Sequence, residues 1–383
     1  MNLFLLVHVS CLLILTDCYK SSEGDDHGAL FIFGDSMFDA GNNNYINTPP
    51  QNQANYWPYG ESYFHPPSGR FSDGRIIPDF IAEFAKLPLI PAYLDPRNND
   101  FSYGANFASA GAGVLNTTDP TTTICLKRQL DNFFDVVKNY RTKLGDAKAE
   151  QLLSDAVYLF SFGSNDYQRV PKNETSFYIE QWVQLVVGDL MDVFKAIHEK
   201  GGRKIGITSL TTLGCLPAFR FQESGHVCNE QLNMIASLHD SEISKKLEEL
   251  SQQLEGFMYA KYELQVEITK RMKNPTKYGF KVGVTACCGY GAFRGIDSCG
   301  GKRLFKKFEL CDNPSNFILF DCHHPTEATN RQLAKLFWSG DSQVTSPYNL
   351  KALFQAAKYK KGGIATIEST NTKSGGEATH VNM

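Results

Sequence analysis

The chain of 383 residues has no excess of either charge: 38 Lys and Arg stand against 41 Asp and Glu, for a net charge of −3. Without a basic stripe, nucleic acid is excluded as a partner, and no like-charge block marks an interaction tail. No run of 18 clean apolar residues occurs, so no transmembrane segment is expected. The cysteines include no C-x-x-C pair, which argues against a zinc cluster. G-x-S-x-G is absent as well, which argues against the ordinary nucleophile elbow of α/β-hydrolases. No internal repeat and no low-complexity linker precede about Gly362.

The longest apolar run lies at the N-terminus. Leu3 to Thr16 is too short to span a bilayer comfortably but fits the core of a signal peptide, although a positive n-region is missing. The competing reading is a buried first strand or helix. Cleavage is expected between Cys18 and Asp26. The chain then divides into a signal peptide over 1–25, a single folded domain over 26–362 and a tail over 363–383. The tail is rich in Gly, Thr, Ser and Asn and is expected to be disordered. Of ten cysteines, eight lie beyond the signal, and a secretory route makes disulfides the expectation. Cys215 and Cys228 bracket a short loop and are the candidate pair. Cys287, Cys288, Cys299 and Cys311 lie in and beside a stretch with seven glycines between Gly279 and Gly301, which reads as a stapled loop of open connectivity. Asn116-Thr-Thr and Asn173-Glu-Thr are candidate glycosylation sites on the same route.

Four short apolar runs read as buried strands: 29–33, 156–162, 204–210 and 317–320. Helical spacing covers 77–87, 179–200 and 229–254, the last with Leu232, Ile235, Ala236, His239, Ile243, Leu247, Leu250 and Leu254 on one stripe. Alternating strands and helices predict an α/β fold with a mostly parallel sheet covered on both faces. Reactive residues in such folds sit just past the carboxyl ends of strands, where Ser36, Asn165 and Asp321 fall in this reading.

Ser36 follows Gly34-Asp35, where glycine allows a tight turn and the serine can project into a cleft. Its bland role is a helix cap. Asp321 and His324 stand three apart before Pro325, a spacing that lets a carboxylate hold one ring nitrogen and leave the other free for a serine. The adjacent His323 should point elsewhere. As a metal site, Asp321, His323 and His324 lack a further cluster to complete the ligand set. Oxyanion donors could come from the Asn165 amide in Gly163-Ser-Asn-Asp166 and from backbone N–H groups in Asn106 to Gly113.

Phe33-Gly-Asp-Ser36, Asn106 to Gly113, Gly163 to Asp166 and Asp321-x-x-His-Pro-Thr-Glu327, in this order, resemble the four blocks of the plant GDSL-type esterase/lipases, a branch of the SGNH hydrolases. Gly41-Asn-Asn-Asn44, Pro58-Tyr-Gly60, Gly69 to Arg75, Leu213 to Pro217, Asn274 to Phe280 and Cys287-Cys-Gly289 extend the likeness to roughly 28–356. Met37 replaces the leucine of the first block, an apolar exchange that should leave the chemistry intact. The resemblance implies a three-layer α/β/α sandwich, flavodoxin-like, with a central mostly parallel sheet. It implies Ser36 as nucleophile, His324 as base and Asp321 as its partner. The oxyanion hole would comprise Ser36, Gly111 and Asn165, with Gly113 as the alternative to Gly111. The implied activity is secreted hydrolysis of small-molecule or lipid esters without metal or organic cofactor, in the apoplast, the vacuole or another secretory compartment. Two rivals remain: an acyltransferase that uses the same triad with an alcohol acceptor, and an inactive binding protein on a hydrolase fold. The sequence specifies no oligomeric state.

Overall fold

The computed structural model describes residues 28–356. The expected signal peptide over 1–25 and the tail over 363–383 lie outside them.

Alternation within short apolar strands builds the layers. Strand β1 (Leu30–Gly34), β3 (Val157–Ser161), β4 (Lys204–Thr208) and β5 (Met258–Tyr262) form the sheet centre, with β2 (Gly104–Asn106) and β8 (Thr345–Pro347) at its edges. The order is β2-β1-β3-β4-β5-β8, parallel throughout except for the β5–β8 pair. Successive residues of a strand face opposite sides. Phe31, Phe33, Tyr158, Phe160, Ile205 and Ile207 therefore join one core, while Leu30, Ile32, Val157, Leu159, Ala260 and Tyr262 join the other. Such double burial is the mark of a parallel sheet.

Helices cover each side. The first core is closed by α2 (Leu126–Leu144), α3 (Asp146–Asp155), α5 (Ser176–Glu199) and α7 (Glu230–Gln253). The second is closed by α1 (Ile77–Phe84), α9 (Glu327–Ser339) and α10 (Leu350–Gln355). Between these lie the single-turn α4 (Ser164–Tyr167) and α6 (Pro217–Arg220), and α8 (Leu264–Lys273). Phe33 and Phe160 sit directly opposite each other on β1 and β3, with ring centroids 4.8 Å apart and ring planes nearly parallel. A buried ring of this kind is worth roughly 3–5 kcal/mol against alanine. Gly206 of β4 lets α9 and α10 approach the sheet: a Cβ there would stand 2.6 Å from the Leu350 side chain. The α7 stripe behaves as its periodicity predicts, with Leu232 through Leu250 buried and Leu254 packed at the edge.

One expected strand is not in the sheet. Residues 317–320 are apolar, but they make only isolated bridges, Val282↔Phe317 and Leu319↔Pro325. Asp321 thus leaves a loop packed against the disulfide-bonded segment, not a sheet strand. Cys287 and Cys288 donate their N–H groups to Leu319 and Phe320 carbonyls at 2.9 and 2.7 Å. That segment carries the short hairpin β6 (Cys288–Gly289) and β7 (Glu309–Leu310). Cysteine pairs at disulfide distance are Cys287–Cys311, Cys288–Cys299 and Cys215–Cys228. Cys125 and Cys322 are buried free thiols.

Candidate active site

Parallel pairing of β1 and β3 brings two loops together. The Asp35 N–H donates to the Ser161 carbonyl at 3.2 Å, so Ser36 and Asn165 emerge side by side at the carboxyl ends of neighbouring strands. Ser36 opens a tight turn in which the Phe38 and Asp39 N–H groups reach the Asp35 carbonyl at 3.1 and 3.0 Å. The Asp35 side chain clasps the same turn by accepting the Met37 N–H at 3.0 Å. Burial pushes the Asp35 carboxyl up to about 7 despite that bond.

The loop before α9 brings in the candidate base. His324 Nε2 stands 2.8 Å from Ser36 Oγ. On its other side, Nδ1 lies 2.7 and 2.9 Å from the two Asp321 oxygens. A carboxylate at Nδ1 keeps the proton there, so Nε2 is the nitrogen free to accept from the serine. Asp321 Oδ1 also accepts the His323 and His324 N–H groups at 2.9 and 2.8 Å, which the i, i+3 turn makes possible. The Phe71 ring packs 4.8 Å from the imidazole. Burial alone would raise the Asp321 carboxyl, but the His324 ring and the Arg303 guanidinium hold it well below the usual carboxylate range.

Asp321 has a further partner that sequence reasoning missed. Its Oδ2 accepts the Tyr59 hydroxyl at 2.8 Å, and that hydroxyl accepts from Arg303 Nη2 at 2.7 Å. Arg303 also donates from Nε to the Tyr56 hydroxyl at 3.0 Å and pairs with Asp297. Burial drives the Tyr59 phenol well above its ordinary value, so it remains a donor. Pro58-Tyr-Gly60 had stood out only as a landmark of the resemblance. Arg303 gave no signal, being one of several cations in a glycine- and cysteine-rich loop.

The oxyanion candidates occupy one rim. Asn165 Nδ2 donates to the Ala112 carbonyl at 2.9 Å and makes a longer contact to Asp35 Oδ2 at 3.4 Å. Gly111 has φ +81° at the end of the turn closed by Ala112 N–H to Ser109 O, 3.0 Å, a conformation that favours glycine. Among the described residues, the N–H groups of Ser36 and Gly111 have no protein acceptor. Gly111 lines the cavity with Ser36, Asn165 and His324, whereas Gly113 is not among the lining residues and packs against Thr118 and Asp166.

Buried carboxylates and amides fix these loops. Asp39 accepts the Gly41, Asn42 and Ala110 N–H groups at 2.7, 2.7 and 2.9 Å. Asn43 donates to the Ala110 and Asn52 carbonyls at 2.9 and 2.8 Å. Asp166 accepts from Val114, Leu115 and Thr118 at 3.0, 3.0 and 2.7 Å. The resulting cavity holds about 210 Å³. Leu213, Leu216 and Met37 supply apolar wall, and Asn52, Gln168, Asp297 and Arg303 supply polar wall. His323 lines it too, against the expectation that it would point away, with its ring 5.7 Å from Phe219. The candidate glycosylation residues Asn116 and Asn173 are exposed and do not line the cavity.

A serine held by an imidazole that is held by a carboxylate, beside unengaged N–H groups, can perform acyl transfer. A family model described as GDSL-like lipase/acylhydrolase matches residues 30–337. The chain is 54% identical to a "GDSL lipase" of Tanacetum cinerariifolium across 91% of this chain and 93% of that protein. It is 47% identical to "GDSL esterase/lipase 1" of Arabidopsis thaliana across 86% and 91%. An Arabidopsis thaliana relative named "Inactive GDSL esterase/lipase-like protein 25" is 36% identical across 85% and 74%.

Proposed function

The chain belongs to the GDSL-like lipase/acylhydrolase family and is a carboxylic ester hydrolase; from that premise we propose that Ser36, His324 and Asp321 carry the reaction as a triad through an acyl-enzyme. His324 Nε2 takes the Ser36 proton as Oγ attacks the ester carbon. The oxyanion collects at the N–H groups of Ser36 and Gly111 and at the Asn165 amide, whose long contact to Asp35 is the one it replaces. Collapse expels the alcohol, which takes the proton from His324. Water then gives its proton to His324 as it attacks the acyl carbon, and collapse releases the acid while Ser36 Oγ takes that proton back from His324. The 2.8 Å contact between Ser36 and His324, backed by Asp321, is the observation that carries this reading.

We also assign the chain to the secretory route, with one catalytic domain over 26–362. Three cysteine pairs at disulfide distance support it, as do the exposed sequons at Asn116 and Asn173. Among the described residues, no helix is long and apolar enough to cross a membrane.

A fluorophosphonate probe tests the mechanism. Wild-type protein should be labelled at Ser36 and Ser36→Ala should be neither labelled nor active, with an unchanged circular dichroism spectrum. Near-wild-type ester turnover by Ser36→Ala would refute the mechanism. A wild-type chain that is neither labelled nor active would make it an inactive relative. Counting acid and ester products with added alcohols separates hydrolysis from acyl transfer.

A further inference from the structure

The loop that supplies Arg303 has a second face. From Ser298 to Phe308 the sequence carries four cations, Lys302, Arg303, Lys306 and Lys307, and no acid, in a chain whose overall charge is −3. Arg303 turns inward, 2% exposed, onto Tyr59 and the cavity. Its chain neighbours turn outward: Leu304 is 78% exposed and Phe305 55%. Trp57, 57% exposed, belongs to the same surface, with its ring edge-on to Phe308 at 6.0 Å. The pairs Cys288–Cys299 and Cys287–Cys311 pin the loop near both ends, so these side chains stand on a fixed platform beside the cavity.

Single exposed apolar residues are ordinary, but three on one platform are not. Lysines interleaved with exposed Leu and aromatic residues match an interfacial lipid contact. The rings and the leucine enter the acyl boundary, and the ammonium groups meet anionic headgroups. Among the described residues, Phe177 on α5 is the one other aromatic more than half exposed, at 70%, but it lies between Glu174 and Glu180, which an anionic surface would repel.

We propose that Trp57 and the 302–308 loop dock this hydrolase onto an anionic lipid surface, with the cavity at the contact so that ester substrates enter from the lipid phase. Docking goes beyond the catalytic reading. Only the delivery of substrate rests on that reading.

The test uses the full chain carrying Ser36→Ala, so that lipid is not consumed. Its sedimentation is measured with vesicles of phosphatidylcholine alone and of phosphatidylcholine mixed with phosphatidylserine. Expected is binding to the mixed vesicles that weakens with salt. Leu304→Ser with Phe305→Ser should reduce it roughly tenfold or more. Lys302→Gln with Lys306→Gln should remove most of the preference for the anionic lipid, also roughly tenfold. Phe177→Ser should leave it unchanged. In the Ser36 background, the loop variants should keep hydrolysis of a soluble short-chain ester and lose hydrolysis of the same ester embedded in mixed vesicles. Absence of binding to either vesicle, as expected of a surface that engages protein, overturns the proposal, and so does binding that ignores the loop substitutions. Vesicle binding by the Ser36→Ala chain together with a wild-type chain that the fluorophosphonate does not label would refute the triad and leave the docking surface standing.

Discussion

Replacing Tyr59 with Phe removes one oxygen from the support of Asp321. In the folded protein that oxygen donates to Asp321 Oδ2 and accepts from Arg303 Nη2, at 2.8 and 2.7 Å. A hydrogen bond to a charged acceptor contributes about 1.5–3 kcal/mol, and a buried donor left without a partner costs about 1–3 kcal/mol more. The variant should therefore lose roughly 3 kcal/mol or more of stability and still fold. The effect on rate should be smaller. Asp321 keeps two backbone N–H groups and both contacts to His324, so it stays in place. Losing the orienting acid of a triad altogether costs about 10⁴ in rate, and losing one of its supports should cost about tenfold, near 1.4 kcal/mol. The Asp321 carboxyl, which His324 and Arg303 hold low, loses a donor that favours its charged form, so the acidic limb of kcat/KM should move to higher pH. Arg303→Met should move it in the same direction. The assay is kcat/KM against pH on a soluble ester, with Tm measured on the same preparations. A lowered Tm with an unmoved pH profile and unchanged kcat/KM would reduce Tyr59 to a packing residue and refute the reasoning.

The two neighbouring histidines should separate sharply: His324→Ala loses several orders of magnitude in kcat, and His323→Ala far less, so equal losses would mean that the base is misassigned. Asn165→Ala should lower kcat about 10²–10³-fold with little change in KM; a lowered Tm with unchanged kcat would leave it the tether between Ala112 and Asp35. Asp35→Asn tests the raised carboxyl. With a folded value of about 7 against an ordinary 3.8, the folded state holds a proton that the unfolded state releases. Asp35 therefore withdraws stability as pH rises from about 4 to about 7. The Tm of Asp35→Asn relative to wild type should rise across that window and level off above it, and a constant difference from pH 4.5 to pH 8 would contradict the burial argument.

How much of this was legible in the sequence depended on distance along the chain. Asp321 and His324 could be read as a pair because their partnership is a three-residue turn. The strands 29–33, 156–162 and 204–210 could be read because each is an apolar run, and each lies within a residue or two of its observed bounds. The run 317–320 is also apolar, with Ile318, Leu319 and Phe320 buried and Phe317 partly so, yet packing against the disulfide-bonded segment keeps it out of the sheet. Strand β5 escaped notice because it carries Lys261. That lysine is buried, and pairs with Asp240 and Glu263 at 3.0 and 2.6 Å offset its cost. Strand β8 ends in Pro347, which suits only an edge. Tyr59 and Arg303 are 244 residues apart, and no local pattern links a tyrosine in one loop to an arginine in another. The glycine- and asparagine-rich stretch after Ser36 was visible as a landmark, but its work, tying one loop to another through side-chain amides, appears only in three dimensions.

Ser36 and His324 are separated by 288 residues, whereas His324 and Asp321 are neighbours. During synthesis the proposed nucleophile therefore leaves the ribosome long before its proposed base, and with β1 alone it has no strand to lie against. Asp321 and His324, three residues apart, arrive together when little of the described chain is still to come. Until then the growing polypeptide holds a serine no more reactive than any other. On the proposed triad, the order of translation by itself delays activity until His324 has emerged.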